Sequence, residues 1–164
     1  MSTTIKRIRT LLAVQSLVLL GGSIFAWYTV YTDFSLFHRY EGTIFKIQDC
    51  LLPNPVTTAC FYGAIAFVIA CVWSVFVFRQ VGERQRLQQG WLRWLLVAGT
   101  IFAWFNFGLS AWKFWQNNMQ PIVGCSGQIM DNPFTTPCFI GSTVFLVALI
   151  LALVIVHLQK KSRP

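Results

Sequence analysis

The sequence predicts an all-α integral membrane protein: a four-transmembrane-helix bundle made of two tandem parallel helical-hairpin repeats. The membrane prediction comes from four long apolar runs in a chain of 164 residues that is 55% hydrophobic and 11% charged. Each run approaches the roughly 20 residues that a helix needs to cross a hydrocarbon core. The repeat prediction comes from two pairs of similar sequence segments. Residues 54–63 are similar to residues 132–141, and residues 22–27 are similar to residues 99–104.

The apolar runs predict the positions of the spans, at about 11–32, 59–78, 91–112 and 138–157. The first run follows basic residues, as a signal peptide does, but it is the counterpart of the third run, so we interpret it as a permanent span. Because the spans use nearly the whole chain, we predict a single membrane domain over 1–164.

The matching blocks are offset by 77 and 78 residues, which indicates a duplication with one net insertion. The predicted repeats cover about 10–80 and 90–158. Because each repeat contains two crossings, both copies have the same orientation in the membrane, which makes the repeat parallel rather than inverted.

Basic residues are concentrated on one side of this topology. Ten of the thirteen lysines and arginines lie before the first span, in or beside the link between the second and third, or after the fourth. The positive-inside rule then predicts cytoplasmic termini and a cytoplasmic 79–90 link, in a plasma or inner membrane. We interpret the net charge of +8 as this orientation signal, with the lipid bilayer and a membrane or extracytoplasmic protein as candidate partners and no nucleic acid.

Four of the five cysteines belong to the two predicted outer loops, about 31–58 and 113–137, or to the helix starts beside them. This distribution is typical of an oxidising exterior. We predict disulfides between Cys50 and Cys60 and between Cys125 and Cys138, because each repeat carries its own pair. Each closure stabilises the fold by roughly 3 kcal/mol. Pairing across the repeats, Cys50 with Cys125 or Cys60 with Cys138, is the alternative.

The similar segments 54–63 and 132–141 also predict how the second helix of each repeat begins. Asn-Pro marks a turn, and a threonine that follows can cap a helix. In the second copy, Thr136 fits the N-cap and Pro137 the first helical position, where its missing N–H costs nothing. The predicted cap motif consists of Asn54, Pro55, Thr58, Asn132, Pro133 and Thr136.

This cap places Cys60 and Cys138 in the first turn of a helix that points outward. The exposed N–H groups and the positive end of the helix dipole favour an anion there. Cys60 and Cys138 are therefore the candidate catalytic thiols, whereas Cys71, inside the second span, is predicted to be a buried apolar filler.

The favoured functional interpretation is a non-catalytic structural or partner-binding component, whose stapled outer loops present a rigid surface. The alternative comes from a resemblance: four helices, cytoplasmic ends and two pairs of outward cysteines resemble the DsbB and vitamin K epoxide reductase class. This resemblance implies a membrane thiol–disulfide oxidoreductase that passes electrons to a quinone. The Cys-x-x-Cys of that class is missing from this sequence.

Two further hypotheses are a small transporter and a soft-metal site. Polar residues within spans mark ion paths, but the sequence offers few, and we expect Asn106 to donate an interhelical hydrogen bond instead. Copper would suit the cysteines together with Met119, Met130 and His38. The acidic residues outside the cytoplasmic side are expected to be solvated loop charges: Asp33, Glu41, Asp49 and Asp131.

Overall fold

The computed structural model describes residues 3–46, 52–123 and 129–161. These residues form four long helices, α1 (Thr3–Glu41), α2 (Ala59–Arg79), α3 (Glu83–Gln116) and α4 (Pro137–Lys161). All four are long and apolar enough to cross a membrane. The prediction of a mainly helical chain with four helices able to cross a membrane is therefore confirmed.

Two kinds of short element, 3₁₀ turns and β-strands, join the helices on the side opposite the chain termini. A 3₁₀ turn precedes each of α2 and α4, at Pro55–Thr57 and Pro133–Thr135. Two strands, β1 (Ile122–Val123) and β2 (Ile129–Met130), pair antiparallel with Ile122 opposite Met130. This small hairpin is the one departure from a purely helical chain among the described residues.

Helix α1 extends well beyond the predicted first span, to Glu41. Residues 31–41, predicted to lie in an outer loop, are helical because neither proline nor glycine interrupts residues 23–41. The helix ends at Gly42, whose φ of 70° suits a glycine and whose N–H donates to the His38 carbonyl at 2.9 Å. Helix α3 likewise extends its predicted span at both ends.

This extension corrects the prediction that Asp33 is a solvated loop charge. Asp33 lies within α1 and is only 3% exposed, because it lies on the same side of α1 as Val30 and Phe37, which are also buried. Glu41, at the end of α1, forms an ion pair with Lys46 at 2.7 Å. Asp131 is exposed as expected, and Asp49 lies outside the described residues.

The helices form an antiparallel bundle in which α1 packs on α2 and α4, and α3 packs on α4 and α2. Helices α2 and α4 meet across the centre, where the rings of Phe67 and Phe145 lie 4.0 Å apart between centroids. Large apolar side chains cover the outside instead, Leu17, Phe76 and Ile101 each being more than 60% exposed. Such a surface requires lipid around it.

Two glycines bring the helices of each hairpin close together. A Cβ on Gly22 would lie 2.5 Å from the Phe67 ring, and one on Gly99 would lie 2.8 Å from the Phe145 ring. Small residues at helix contacts allow this close packing in lipid. In both hairpins, therefore, the first helix accommodates a phenylalanine ring of the second.

Candidate functional site

Each of α2 and α4 begins at a threonine cap. The Thr58 hydroxyl oxygen accepts from the N–H of Phe61 at 3.4 Å, and the Thr136 oxygen accepts from Phe139 at 3.3 Å. Each hydroxyl also donates to the carbonyl of the proline three residues earlier, at 2.7 and 2.6 Å. These bonds fix where the helix starts, and hence the position of the cysteine two residues after each cap.

The asparagine of each motif holds the turn before the cap. Asn54 Oδ1 accepts from the N–H of Val56 at 3.0 Å, and its Nδ2 donates to the carbonyls of Ile44 and Lys46 at 3.2 and 2.8 Å. Asn132 Oδ1 accepts from the Phe134 N–H at 3.0 Å. Asn54 therefore also ties the segment after α1 to the start of α2.

These two helix starts bring Cys60 and Cys138 together. Their Sγ atoms lie 3.1 Å apart, although the residues are 78 positions apart in the chain. This separation is about 1 Å longer than a disulfide bond, so the sulfurs are in contact without being bonded to each other. Cys50 and Cys125 lie outside the described residues, so the two predicted in-loop disulfides remain predictions.

Aromatic rings support the two cysteine-bearing turns in the same way. The ring of Phe61 lies 6.3 Å from Trp27 at 72°, and the ring of Phe139 lies 6.2 Å from Trp104 at 81°. Edge-to-face pairs of this kind are a favourable aromatic geometry. The residue after each cysteine is therefore anchored to the first helix of its own hairpin.

A cavity lined by all four helices lies directly below the sulfur pair, with about 510 Å³ of empty space when its open side is counted. Its walls are mostly apolar and include Phe25 and Phe102, while Phe67 and Phe145 lie toward the centre of the bundle. Thr29, Asn106 and Ser142 supply the polar side chains in this lining. The arrangement suits a flat, mainly apolar molecule with a few polar atoms.

Asn106 does not form the interhelical hydrogen bond that we expected. Its Nδ2 donates to the Phe102 carbonyl at 2.8 Å, one turn earlier in the same helix. The side chain lies on the cavity side of α3 and bonds to a carbonyl of its own helix. Asn106 is therefore part of the cavity lining.

Asp33 is the residue of this region that the sequence interpretation missed. It lies one helical turn beyond Thr29 on α1, toward the C-terminal end of the helix, and it is close enough to Cys60 for its charge to act on the thiol. The uninterrupted helical pattern of residues 23–41 is the signal that could have placed it on the cavity side of α1.

The other candidate residues lie elsewhere. Cys71 packs against the core in the middle of α2, while Met119 is well exposed. Within the described ranges, no group of three His, Cys, Asp or Glu side chains is arranged to hold a metal ion. The soft-metal hypothesis therefore has no such ligand set in this part of the chain.

No family model, curated protein or solved structure matches this chain.

Proposed function

We propose that this protein is a membrane thiol–disulfide exchange protein and that Cys60 and Cys138 are its reactive pair. The observation that supports this is the 3.1 Å separation of the two sulfurs at the mouth of a central cavity. Thiol–disulfide exchange requires one sulfur to attack another directly. Here the two sulfurs need to approach each other by only about 1 Å to reach the length of a disulfide bond.

The exchange step connects the two cysteine pairings that the sequence leaves open. If Cys138 is bridged to Cys125, the Cys60 thiolate attacks the Cys138 sulfur, a Cys60–Cys138 bond forms, and Cys125 leaves as a thiolate. The corresponding step from a Cys50–Cys60 bridge releases Cys50. One disulfide replaces another, so this step needs no oxidant. A substrate dithiol can then attack the Cys60–Cys138 bond and leave as a disulfide, which reduces Cys60 and Cys138 to thiols.

Net oxidation of a substrate dithiol also requires an acceptor for two electrons and two protons. The topological resemblance implies a quinone, and the cavity fits one because it offers aromatic walls, an amide at Asn106 and an opening beside the sulfur pair. A bound quinone would supply this two-electron acceptance. Phe25 and Phe102 would hold the ring, and Cys60 and Cys138 would deliver the electrons as they become a disulfide.

We also propose that the sulfur pair faces away from the cytoplasm. The positive-inside rule supports this, because the basic residues cluster at the opposite end of the bundle. We keep the tandem duplication as part of the proposal. It is supported by paired contacts at matching positions: Cys60 with Cys138, Phe67 with Phe145, and the two glycine–ring contacts.

A purely structural role is the second candidate, and the three hydrogen bonds of Asn54 favour it. They hold the segment after α1 firmly against the start of α2, as expected of a rigid outer surface that a partner protein could recognise. In this case the sulfur pair would form a permanent staple between α2 and α4, and its redox state would not change.

Disulfide mapping by mass spectrometry distinguishes the two candidates. Protein is alkylated in intact membranes, either directly, after a mild oxidant, or after a mild reductant. We expect the Cys60–Cys138 cross-linked peptide to increase with oxidant and to disappear with mild reductant. Cys71→Ser is the matched control, because Cys71 lies on the same helix away from the pair and its loss should change nothing.

Activity is then tested in vesicles that contain a quinone and a reduced dithiol protein. We expect oxidation of the dithiol by the wild type and by Cys71→Ser, and loss of at least tenfold in rate for Cys60→Ser and for Cys138→Ser. Full activity in either of these variants would contradict the redox proposal. A cross-link that resists mild reductant in every sample would support the structural candidate.

A further inference from the structure

The end of the bundle that carries the chain termini is strongly basic. The start of α1 meets the end of α2 there, through the contact of Ser16 with Ser74 at 2.7 Å and through Arg9 over the Phe78 ring. The start of α3 joins them through the hydrogen bond from Gln89 to Gln15, and the end of α4 packs Ile155 into the same core cluster. Among the described residues, this end has one acid, Glu83, and nine bases: Lys6, Arg7, Arg9, Arg79, Arg84, Arg86, Arg93, Lys160 and Lys161.

A groove lies on the outer side of α3 at this end. It is bounded by Trp91 and Trp94, which are 65% and 59% exposed, and by Leu87. Gly90 forms its floor, since a Cβ there would meet no atom within 4 Å. A side chain at position 90 would therefore fill the groove without disturbing the bundle.

Charged groups lie at the mouth of this groove. Arg86 lines it about one turn beyond Gly90, away from the bilayer, and Glu83 lines it one turn further out. The guanidinium carbon of Arg93 lies 5.2 Å from the centre of the Trp94 ring, which keeps a second positive charge beside the groove. Tryptophan rings mark the level of the membrane interface, so the arginines lie near the level of lipid phosphates.

We propose that this groove binds an anionic phospholipid. Its phosphate would contact Arg86 and Arg93, and the start of one acyl chain would lie over Gly90 between the two indole rings. The charge at this end is complementary to an anionic headgroup. A lipid is the occupant that fits, because the groove lies on the lipid-facing side of a membrane-spanning helix and most of its lining is apolar.

The start of α3 is held firmly enough to keep the groove in place. Gln85 Nε2 donates to the carbonyls of Val77 and Gln80 at 3.2 and 2.7 Å, and Trp73 Nε1 donates to Gln88 Oε1 at 3.0 Å. These bonds fasten the first turns of α3 to the end of α2. The groove is thus a preformed feature of the bundle and does not depend on the sulfur chemistry at the other end.

The test is lipid retention by purified protein. The protein is equilibrated in mixed micelles of equal amounts of phosphatidylglycerol and phosphatidylcholine, and retained lipids are counted by native mass spectrometry. We expect preferential retention of one phosphatidylglycerol. Each of Arg86→Gln and Arg93→Gln should weaken this preference about fivefold, from about 1 kcal/mol per interfacial arginine, and Gly90→Leu should abolish it.

Two variants make the result specific. Arg84→Gln removes an equal charge at the same end but outside the groove lining, and it should leave retention unchanged. Glu83→Gln removes the opposing charge and should strengthen retention. Equal retention of the two lipids by the wild type would overturn the proposal. Equal losses of phosphatidylglycerol retention for Arg84→Gln and Arg86→Gln would also overturn it, because they would indicate only a diffuse attraction of the lipid to the basic end.

Discussion

At the scale of single residues, the tightest packing constraint on the bundle is at Gly22, where there is no room for a side chain. Gly22 faces the ring of Phe67, and Phe67 is itself buried and stacked on Phe145. The ring is therefore confined between Gly22 and Phe145, and its remaining side lines the cavity. Gly21, the residue before it, serves as a matched control, because a Cβ added there would meet no atom within 4 Å.

We expect Gly22→Ala to destabilise the protein by about 1–3 kcal/mol, the usual cost of overpacking a filled core. Gly21→Ala should be neutral or slightly stabilising, because alanine favours a helix more than glycine does. The measurement is the free energy of unfolding by a denaturing detergent, followed by circular dichroism. Equal destabilisation by the two variants would show that the Gly22–Phe67 contact is not tight.

The threonine caps make a second residue-scale prediction. Thr136→Ala removes the acceptor for the Phe139 N–H at the start of α4 and should cost about 1 kcal/mol. Thr135→Ala is the control, because Thr135 is exposed and precedes the cap. The same unfolding measurement applies, and a loss no larger than that of the control would argue against a capping role. Thr136→Ala should also slow formation of the Cys60–Cys138 cross-link, since the cap positions Cys138.

At the scale of elements, hydrogen bonds between helices set their register at the basic end. Ser16 on α1 contacts Ser74 on α2 at 2.7 Å, and Gln89 on α3 donates to Gln15 on α1 at 3.0 Å. Buried polar groups of this kind are costly to leave unpaired. They therefore favour one alignment of three otherwise apolar helices.

A double-mutant cycle measures this contribution. We expect a coupling energy of about 0.6 kcal/mol, and at most about 2 kcal/mol, between Ser16→Ala and Ser74→Ala. Ser16→Ala with Ser142→Ala should show no coupling, because Ser142 hydrogen-bonds within α4 at the cavity instead. A coupling energy near zero for the first pair would mean that the two hydroxyl groups do not interact in the membrane.

The helices themselves could be predicted from the sequence, but not their full lengths. Hydropathy identifies the apolar part of a helix, because that part must match the bilayer, whereas a helix can continue past it if no breaker intervenes. The residues between Tyr31 and Glu41 illustrate this difference, since they follow the apolar run and were predicted to form a loop, while their backbone stays helical to Glu41. The buried position of Asp33 follows from the same continuation.

At the scale of the whole molecule, the meeting of Cys60 and Cys138 was only one of several pairings that the sequence allowed. Closeness in the sequence favoured a disulfide within each loop, Cys50–Cys60 and Cys125–Cys138, because the sequence gives no measure of the distance between the two hairpins. Packing supplies that distance. The first turns of α2 and α4 lie next to each other, which brings Cys60 and Cys138 into contact. This is the arrangement expected if the two hairpins are related by the duplication that we propose.

Membrane orientation is the whole-molecule prediction. In a variant without other cysteines, a single cysteine at Gln80 should react only with a reagent that crosses the membrane, and one at Gln120 should react with an impermeant reagent added outside. The basic end predicts this result. The opposite labelling pattern would move the sulfur pair into the cytoplasm and remove the oxidising compartment that the proposed function requires.

The stacked rings of Phe67 and Phe145 have a consequence for the membrane as a whole. Below them, Ala70 and Ala148 are completely buried, so side chains of the described residues fill the axis of the bundle at this level. We therefore expect vesicles that contain the protein to hold an ion gradient as well as vesicles without it.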